Sequence, residues 1–192
     1  MMQKFIPPHG GYRNLLSYQR AQVVYDATVR FCAEHFGKRD RTVDQMVQAA
    51  RSGKQNIIEG SMASGTSKET EIKLTNVARA SLEELLEDYR DFLRIRGLAE
   101  WPRDHACVRR LRTLNRIPNA NYETFRKAVE HPDAEVRANA IMGLIKVTTY
   151  LLDQQLRRLE KDFVEQGGLR ENMTRARLAH RTQQGRGNSR DH

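Results

Sequence analysis

Long apolar runs are what this 192-residue chain lacks: no window approaches 18 consecutive apolar residues. That excludes a transmembrane helix of ordinary length. Cysteine is scarce too, with only Cys32 and Cys107. Neither sits in a CxxC or at a Cys/His ligand spacing, so neither a disulfide framework nor a zinc site is expected. Both are expected to behave as small apolar residues in a reducing compartment. The start, MMQKFIPPHGGY, has no apolar stretch of signal-peptide length, so a cytoplasmic protein is expected. HExxH and GxSxG are absent, which removes the commonest metallo- and serine-hydrolase signatures. No metal, cofactor or membrane partner is expected, and no catalytic set is assigned.

What the chain has is charge. Charged residues make up 30% and apolar residues 39%, with a mean hydropathy of −0.73. This suits a well-solvated helical protein better than a sheet protein. The formal net charge of +9 is concentrated in two places. Residues 94–116, RIRGLAEWPRDHACVRRLRTLNR, hold seven arginines and two acids, and residues 167–192 hold six arginines and two acids. The remainder is balanced, twenty basic residues against twenty acidic. Arginine suits phosphate because its planar fork donates to two oxygens at once. The candidate nucleic-acid contacts are therefore Arg94, Arg96, Arg103, Arg109, Arg110, Arg112 and Arg116 in the first patch. In the second they are Arg170, Arg175, Arg177 and Arg181.

Helical periodicity runs through nearly the whole chain. Leu16, Val23, Val24, Ala27, Phe31 and Phe36 form one seam between Leu15 and Phe36. Asp40 can cap a second helix with Val43, Met46, Ala50, Gly53 and Ile57 on one face, stopping near Gly60. Thr66 and Glu69 form a capping-box pattern for a third helix from Ser67 to about Ile95. Its seam is Leu74, Ala78, Ser81, Leu85 and Phe92. His131-Pro132-Asp133 opens the last long helix, with Ile141, Leu144, Thr148, Leu151 and Gln155 on its seam, and Gly167-Gly168 stops it near Gln166.

These spans predict an all-α protein, an antiparallel up-down four-helix bundle over residues 12–166. A leader at 1–11, a basic helical insert at 98–131 and a flexible basic extension at 167–192 complete it. Two helices carry a second apolar row: Leu82, Leu86, Tyr89 and Leu93 in the third, and Ile145, Leu152, Leu156, Leu159 and Phe163 in the fourth. A single bundle seam needs a narrower stripe. Because the insert is polar, a neighbouring subunit is the expected cover.

The stretch NIIEGSMASGTSKETE contains Gly60, four residues and Gly65, which is close to a phosphate-binding GxxxxGK[ST] loop. Thr66 stands where the lysine is needed, and the preceding residues have helical rather than strand period. A turn between helices is the better reading, with Gly60 and Gly65 giving permissive backbone. Asn56 and Glu59 lie on one side of the helix before this turn and would need partners if buried, with Ser81 and Arg79 among the candidates.

Residues Ala50, Ser52, Asn56, Ile57, Glu59, Gly60, Ser67, Glu69, Ala80, Ser81, Leu82, Glu84 and Leu85 match the pattern A.S...NI.EG…S..E….A..SL.EL. This resembles the bacterial four-helix-bundle family of 23S rRNA intervening-sequence proteins and accessory variability determinants of diversity-generating retroelements. RTVDQMVQAARSGKQNI and TTYLLDQQLRRLEKDFVEQGG further resemble its longer subgroup with a four-helix-bundle suffix domain. The resemblance covers roughly residues 15–97 well and the last long helix loosely. It implies a compact antiparallel bundle, often a homopentamer. For retroelement members it implies binding of RNA or DNA and of a reverse transcriptase. The insert and the C-terminal extension depart from the short members, and they are the arginine-rich parts.

The function expected is thus non-enzymatic binding of nucleic acid by an oligomer, with a protein-interaction adaptor as the alternative. A helical ribonuclease is a distant third: Arg30/His35, Arg126/His131 and Arg175/His180 have an R-x4-H spacing, but the polar residue that should follow each arginine is Phe31, Lys127 or Ala176. The acids Glu83, Glu84, Glu87, Asp88 and Asp91 stand near Arg79, Arg90 and Arg94 and are expected to form a salt-bridged exposed face.

Overall fold

The computed structural model describes residues 10–37 and 39–188. Among them the chain is all-helical, with no strand. A 3-10 turn, Tyr12–Asn14, leads into α1 (Leu16–His35), α2 (Arg41–Ala63) and α3 (Lys68–Ile95). Two short helices follow, α4 (Ala106–Asn115) and α5 (Tyr122–Val129), then the long α6 (Ala134–Gln166) and finally α7 (Leu169–Asn188).

The helix starts follow side-chain chemistry. Asp40 accepts from Thr42 N at 2.9 Å and Asp133 from Glu135 N at 2.8 Å, each satisfying a backbone donor that the first turn leaves open. Asn121 and Thr124 make a reciprocal capping box at α5. At α3 the cap is one residue later than expected. Ser67 has extended backbone and accepts from Thr70 N at 3.1 Å, while Thr66 is still in the turn with its hydroxyl donating to Ala63 O. Glu69 is exposed and makes no box with Thr66. Gly97 at φ 65° follows α3, and Gly167 at φ 70° stops α6.

Neither Gly60 nor Gly65 serves as a permissive turn residue. α2 runs through Gly60 to Ala63, and neither glycine has a positive φ. Gly60 instead lets α3 come close. A Cβ there would stand 3.4 Å from both Glu71 O and Leu74 Cβ.

α1 packs on α2 and α6, α2 on α3, and α3 on α6. Cys32 lies against Met46, the Lys54 ammonium over the Tyr25 ring, Ser52 against Ser81, Arg79 against Asp153, and Ser17 against Gln155. The core these helices enclose includes Phe31, Met46, Ile57, Leu85, Tyr89 and Ile141, all essentially inaccessible. Leu16, placed on the α1 seam by its period, is 51% exposed. Leu15 just before the helix packs against the core in its place.

Most of the two second apolar rows is covered within the chain, contrary to expectation, with Leu156 and Phe163 of α6 half-buried. Leu82, Leu86, Tyr89, Leu93, Ile145, Leu152 and Leu159 are all buried. The α1–α6 face is closed by α5, which packs on both, and by α4, which packs on α6. The insert is polar on average, yet it needs only Leu111, Ala120, Phe125 and Val129, all buried, to seat itself.

Arg20 ties the insert down. The residue is 2% exposed, and its guanidinium donates to Asn115 Oδ1 at 2.8 Å, Asn115 O at 3.2 Å and Ala120 O at 2.7 Å. It also lies against the Phe125 ring at 5.4 Å. Three oxygen acceptors satisfy a buried cation that would otherwise be costly.

The expected flexible extension is helical as far as it is described, because LRENMTRARLAHRTQ is built of good helix formers once Gly167 has redirected the chain. Residues 1–9 of the expected leader and 189–192 of the extension lie outside the described residues.

Candidate nucleic-acid interface

α4 is a ten-residue helix, ACVRRLRTLN, with three arginines and no acid. Arg103 precedes it and Arg116 follows it. Among the described residues none of Arg103, Arg109, Arg110, Arg112 and Arg116 forms an ion pair, unlike Arg30, Arg90, Arg94, Arg126 and Arg158. Five cations are therefore gathered on and beside one short helix without an ion-pair partner among the described residues.

A pinned loop sets the position of α4. Trp101 N donates to Asn139 Oδ1 at 2.8 Å, and its indole Nε1 donates to Glu135 Oε1 at 2.9 Å. Asn139 Nδ2 donates back to Ala99 O at 2.8 Å. The Trp101 ring stacks on His105 at 4.2 Å, and His105 Nδ1 accepts from Cys107 N at the start of α4. Trp101 thus fastens the loop to α6, the structural role that outweighs base stacking for this residue. On the inner side Leu111 is buried beneath α4, close to Gly143 of α6.

Between α4 and α6 lies a groove of about 550 Å³. Val108, Leu111, Met142 and Val147 give it an apolar floor, and Arg103, Arg112 and Lys146 line it as well. Lys146 is shared with Glu100, its Nζ 2.7 Å from Oε1. Tyr150 stands at the edge with 61% of its surface exposed.

The other candidate arginines are elsewhere. Arg94 pairs with Asp91 at 2.6 Å. The Arg96 guanidinium sits 3.9 Å from the Phe92 ring centre and donates to His35 O at 3.3 Å, joining the end of α3 to the end of α1. Both are engaged within the chain and lie outside the α4 patch. Arg170, Arg175, Arg177 and Arg181 lie on α7, all exposed. α7 begins beside Phe163, about 30 Å along the α6 axis from Gly143 at 1.5 Å per residue.

The motif residues have a structural role. Asn56 Nδ2 donates to Ser52 O at 2.9 Å and to Ser52 Oγ at 3.1 Å, and Ser52 Oγ shares a 2.9 Å hydrogen bond with Ser81. Asn56 therefore supports the α2–α3 contact through Ser52. Glu59 is exposed rather than buried, so unlike Asn56 it needs no partner within the fold. Arg79 pairs with Asp153 of α6, not with the α3 acids. Glu87 and Asp91 have arginine partners on α3, whereas Glu83, Glu84 and Asp88 have none among the described residues.

The R-x4-H pairs are not set up alike. Arg30 and Arg126 both reach Glu130, at 2.6 and 3.0 Å. His35 is held between the Phe31 and Phe92 rings with Nε2 buried. Cys32 is buried, and burial pushes its thiol up to about 12; Cys107, expected to be a small apolar filler, is exposed. Among the described residues no three His, Cys, Asp or Glu side chains gather where they could hold a metal ion, and no helix is long and apolar enough to cross a membrane.

Periodicity missed Arg20, Arg137 and the groove, because each depends on elements distant in sequence. Tyr150 left a trace: it falls off both apolar rows of α6, where an aromatic gains nothing from the core. Comparison of the chain with family models, with curated proteins and with solved structures finds no match.

Proposed function

We propose that this chain is a non-enzymatic nucleic-acid-binding protein built on an antiparallel up-down four-helix bundle of α1, α2, α3 and α6. Its principal contact surface is the arginine face of α4, with α7 as a second cationic arm. The observation that carries this reading is the group of five arginines, Arg103 to Arg116, without an ion-pair partner among the described residues. Arg30, Arg90 and Arg126, by contrast, are each engaged by an acid. Unpaired arginines held on a rigid, docked helix suit a polyanion, whose phosphates accept bidentate hydrogen bonds.

Assembly into a pentamer and service to a reverse transcriptase rest on the family resemblance alone. Burial of most of the second rows within the chain reduces the apolar surface that a subunit contact would cover. Light scattering on the purified protein decides it, with a mass of five chains supporting the pentamer and a clean monomer removing it.

Fluorescence anisotropy with labelled RNA and DNA between 50 and 200 mM salt tests the binding. Each phosphate contact releases counterions, so affinity should fall steeply, with a slope reduced by about 0.9 for each arginine lost on duplex DNA. The triple variant Arg109→Gln, Arg110→Gln, Arg116→Gln should weaken binding to every sequence. A flat salt response, or unchanged affinity in that variant, would sink the proposal.

A further inference from the structure

The geometry points to the groove between α4 and α6 as a subsite for an unpaired nucleobase, so that the protein prefers single-stranded to duplex nucleic acid. This rests on the nucleic-acid reading above and deepens it. α4 has two faces with different surroundings. Arg109, Arg110 and Arg116 do not line the groove, whereas Val108, Leu111, Arg112 and Asn115 recur at helical spacing along it. One face suits a backbone of either form, and the other is a concave slot beside the backbone.

The slot has the chemistry of a base site. Its volume of about 550 Å³ falls in the range of roughly 300–1,000 Å³ usual for small-molecule pockets. Its floor is apolar, from Val108, Leu111, Met142 and Val147. Tyr150, 61% exposed, has no ring partner among the described residues, so its face is open to a flat ligand. Arg103 and Arg112 flank the slot, and the Arg112 guanidinium is steadied by donating to Arg103 O at 3.0 Å. An apolar floor, an open aromatic face and two cations together match a base joined to its phosphates. A duplex cannot present this combination without extruding a base, which costs unpairing energy.

The groove also implies sequence tolerance. The amides that could read a base edge are already committed: Asn139 to Trp101 N and Ala99 O, and Asn115 to Arg20 and Leu111 O. Stacking and phosphate contacts remain, and both accept any base.

The test is anisotropy on the full chain with a labelled 12-nucleotide strand, the matching 12-base-pair duplex, and an oligoglutamate peptide as competitor. Tyr150→Ala is a surface change and should leave the fold intact, which circular dichroism checks. The expected result is tighter binding of the strand than of the duplex. Tyr150→Ala should then weaken strand binding by about tenfold, the scale of one base–aromatic stack, and leave duplex binding unchanged. Tyr150→Phe should bind like the parent, and strands of differing sequence should bind alike. Equal binding of strand and duplex, with no effect of Tyr150→Ala, overturns the base subsite. If the arginine triple variant still loses affinity in that case, the nucleic-acid reading survives without it. No binding of either form at low salt overturns both, and Tyr150-dependent capture of the peptide in place of the strand would assign the groove to an acidic protein partner.

Discussion

Leu82 of α3 occupies the space in which residue 53 of α2 would carry a Cβ. Built on Gly53, that atom would stand 2.7 Å from both Leu82 Cγ and Cδ2. Gly53 is therefore required by a close helix–helix approach and not by its backbone conformation, which is helical.

Gly53→Ala should destabilise the protein by about 1–3 kcal/mol, the usual cost of overpacking, less up to about 1 kcal/mol returned by better helix propensity. Gly143→Ala is the control. It is also helical, and its Cβ would meet only Leu111 Cδ1, at 3.4 Å. Thermal melting should show a lower midpoint for the first variant and an equal or higher one for the second. A neutral Gly53→Ala would mean that α3 moves away freely.

Arg137 is 2% exposed and holds both carboxylate oxygens of Glu34, one of them at 3.2 Å through Nη2. Its guanidinium also faces Phe31 at 5.9 Å. Glu34→Ala leaves a buried cation without its counter-charge. The cost should be about 2 kcal/mol, below the 3–5 typical of a fully buried pair because Glu34 itself is 59% exposed. Arg137→Met should cost less than Glu34→Ala, since an apolar replacement leaves no orphan charge. Chemical denaturation of the two variants gives the ranking, and the reverse order would refute this account.

His35 should make stability depend on pH below neutrality. Burial holds its imidazole below the ordinary value, Arg137 and Arg96 add to this, and Glu34 opposes it. The fold therefore prefers the neutral ring, whose Nε2 is buried with no hydrogen-bond partner among the described residues. The unfolded chain takes up the proton first, so stability is full above about 6.5 and falls as pH drops towards the lowered folded value. His35→Phe should flatten this part of a denaturation-midpoint profile between pH 7.5 and 5, while keeping the ring contacts with Phe31 and Phe92.

Asp88 acts with the opposite sign. Burial raises its carboxyl to about 6, and Glu84 and Asp91 push the same way. The fold here prefers the neutral acid, so this contribution is present below about 4 and is lost as pH rises from about 4 to about 6. Asp88→Asn should therefore be more stable than the parent at pH 7 and equal to it near pH 4. Identical midpoints at pH 7 would show that the carboxyl is well solvated.

Much of this molecule is legible from its residues in order. Helix formation depends on local spacing and on caps such as Asp40 and Asp133, and those starts fall where the residues predict. The partition of charge into two arginine-rich segments is likewise a property of the string. What spacing cannot supply is the partner across space. It could not show that Leu111 and Phe125 seat the insert, or that Arg20 finds three oxygens on it. Nor could it show that Leu86 and Ile145 are covered by this same chain. It also could not separate Arg96, seated on Phe92, from Arg109 and Arg110 on the α4 patch, because all three look alike in a charge count. Burial, ion pairing and the α4–α6 groove are set by contacts between segments tens of residues apart, and only the tertiary structure brings those segments together.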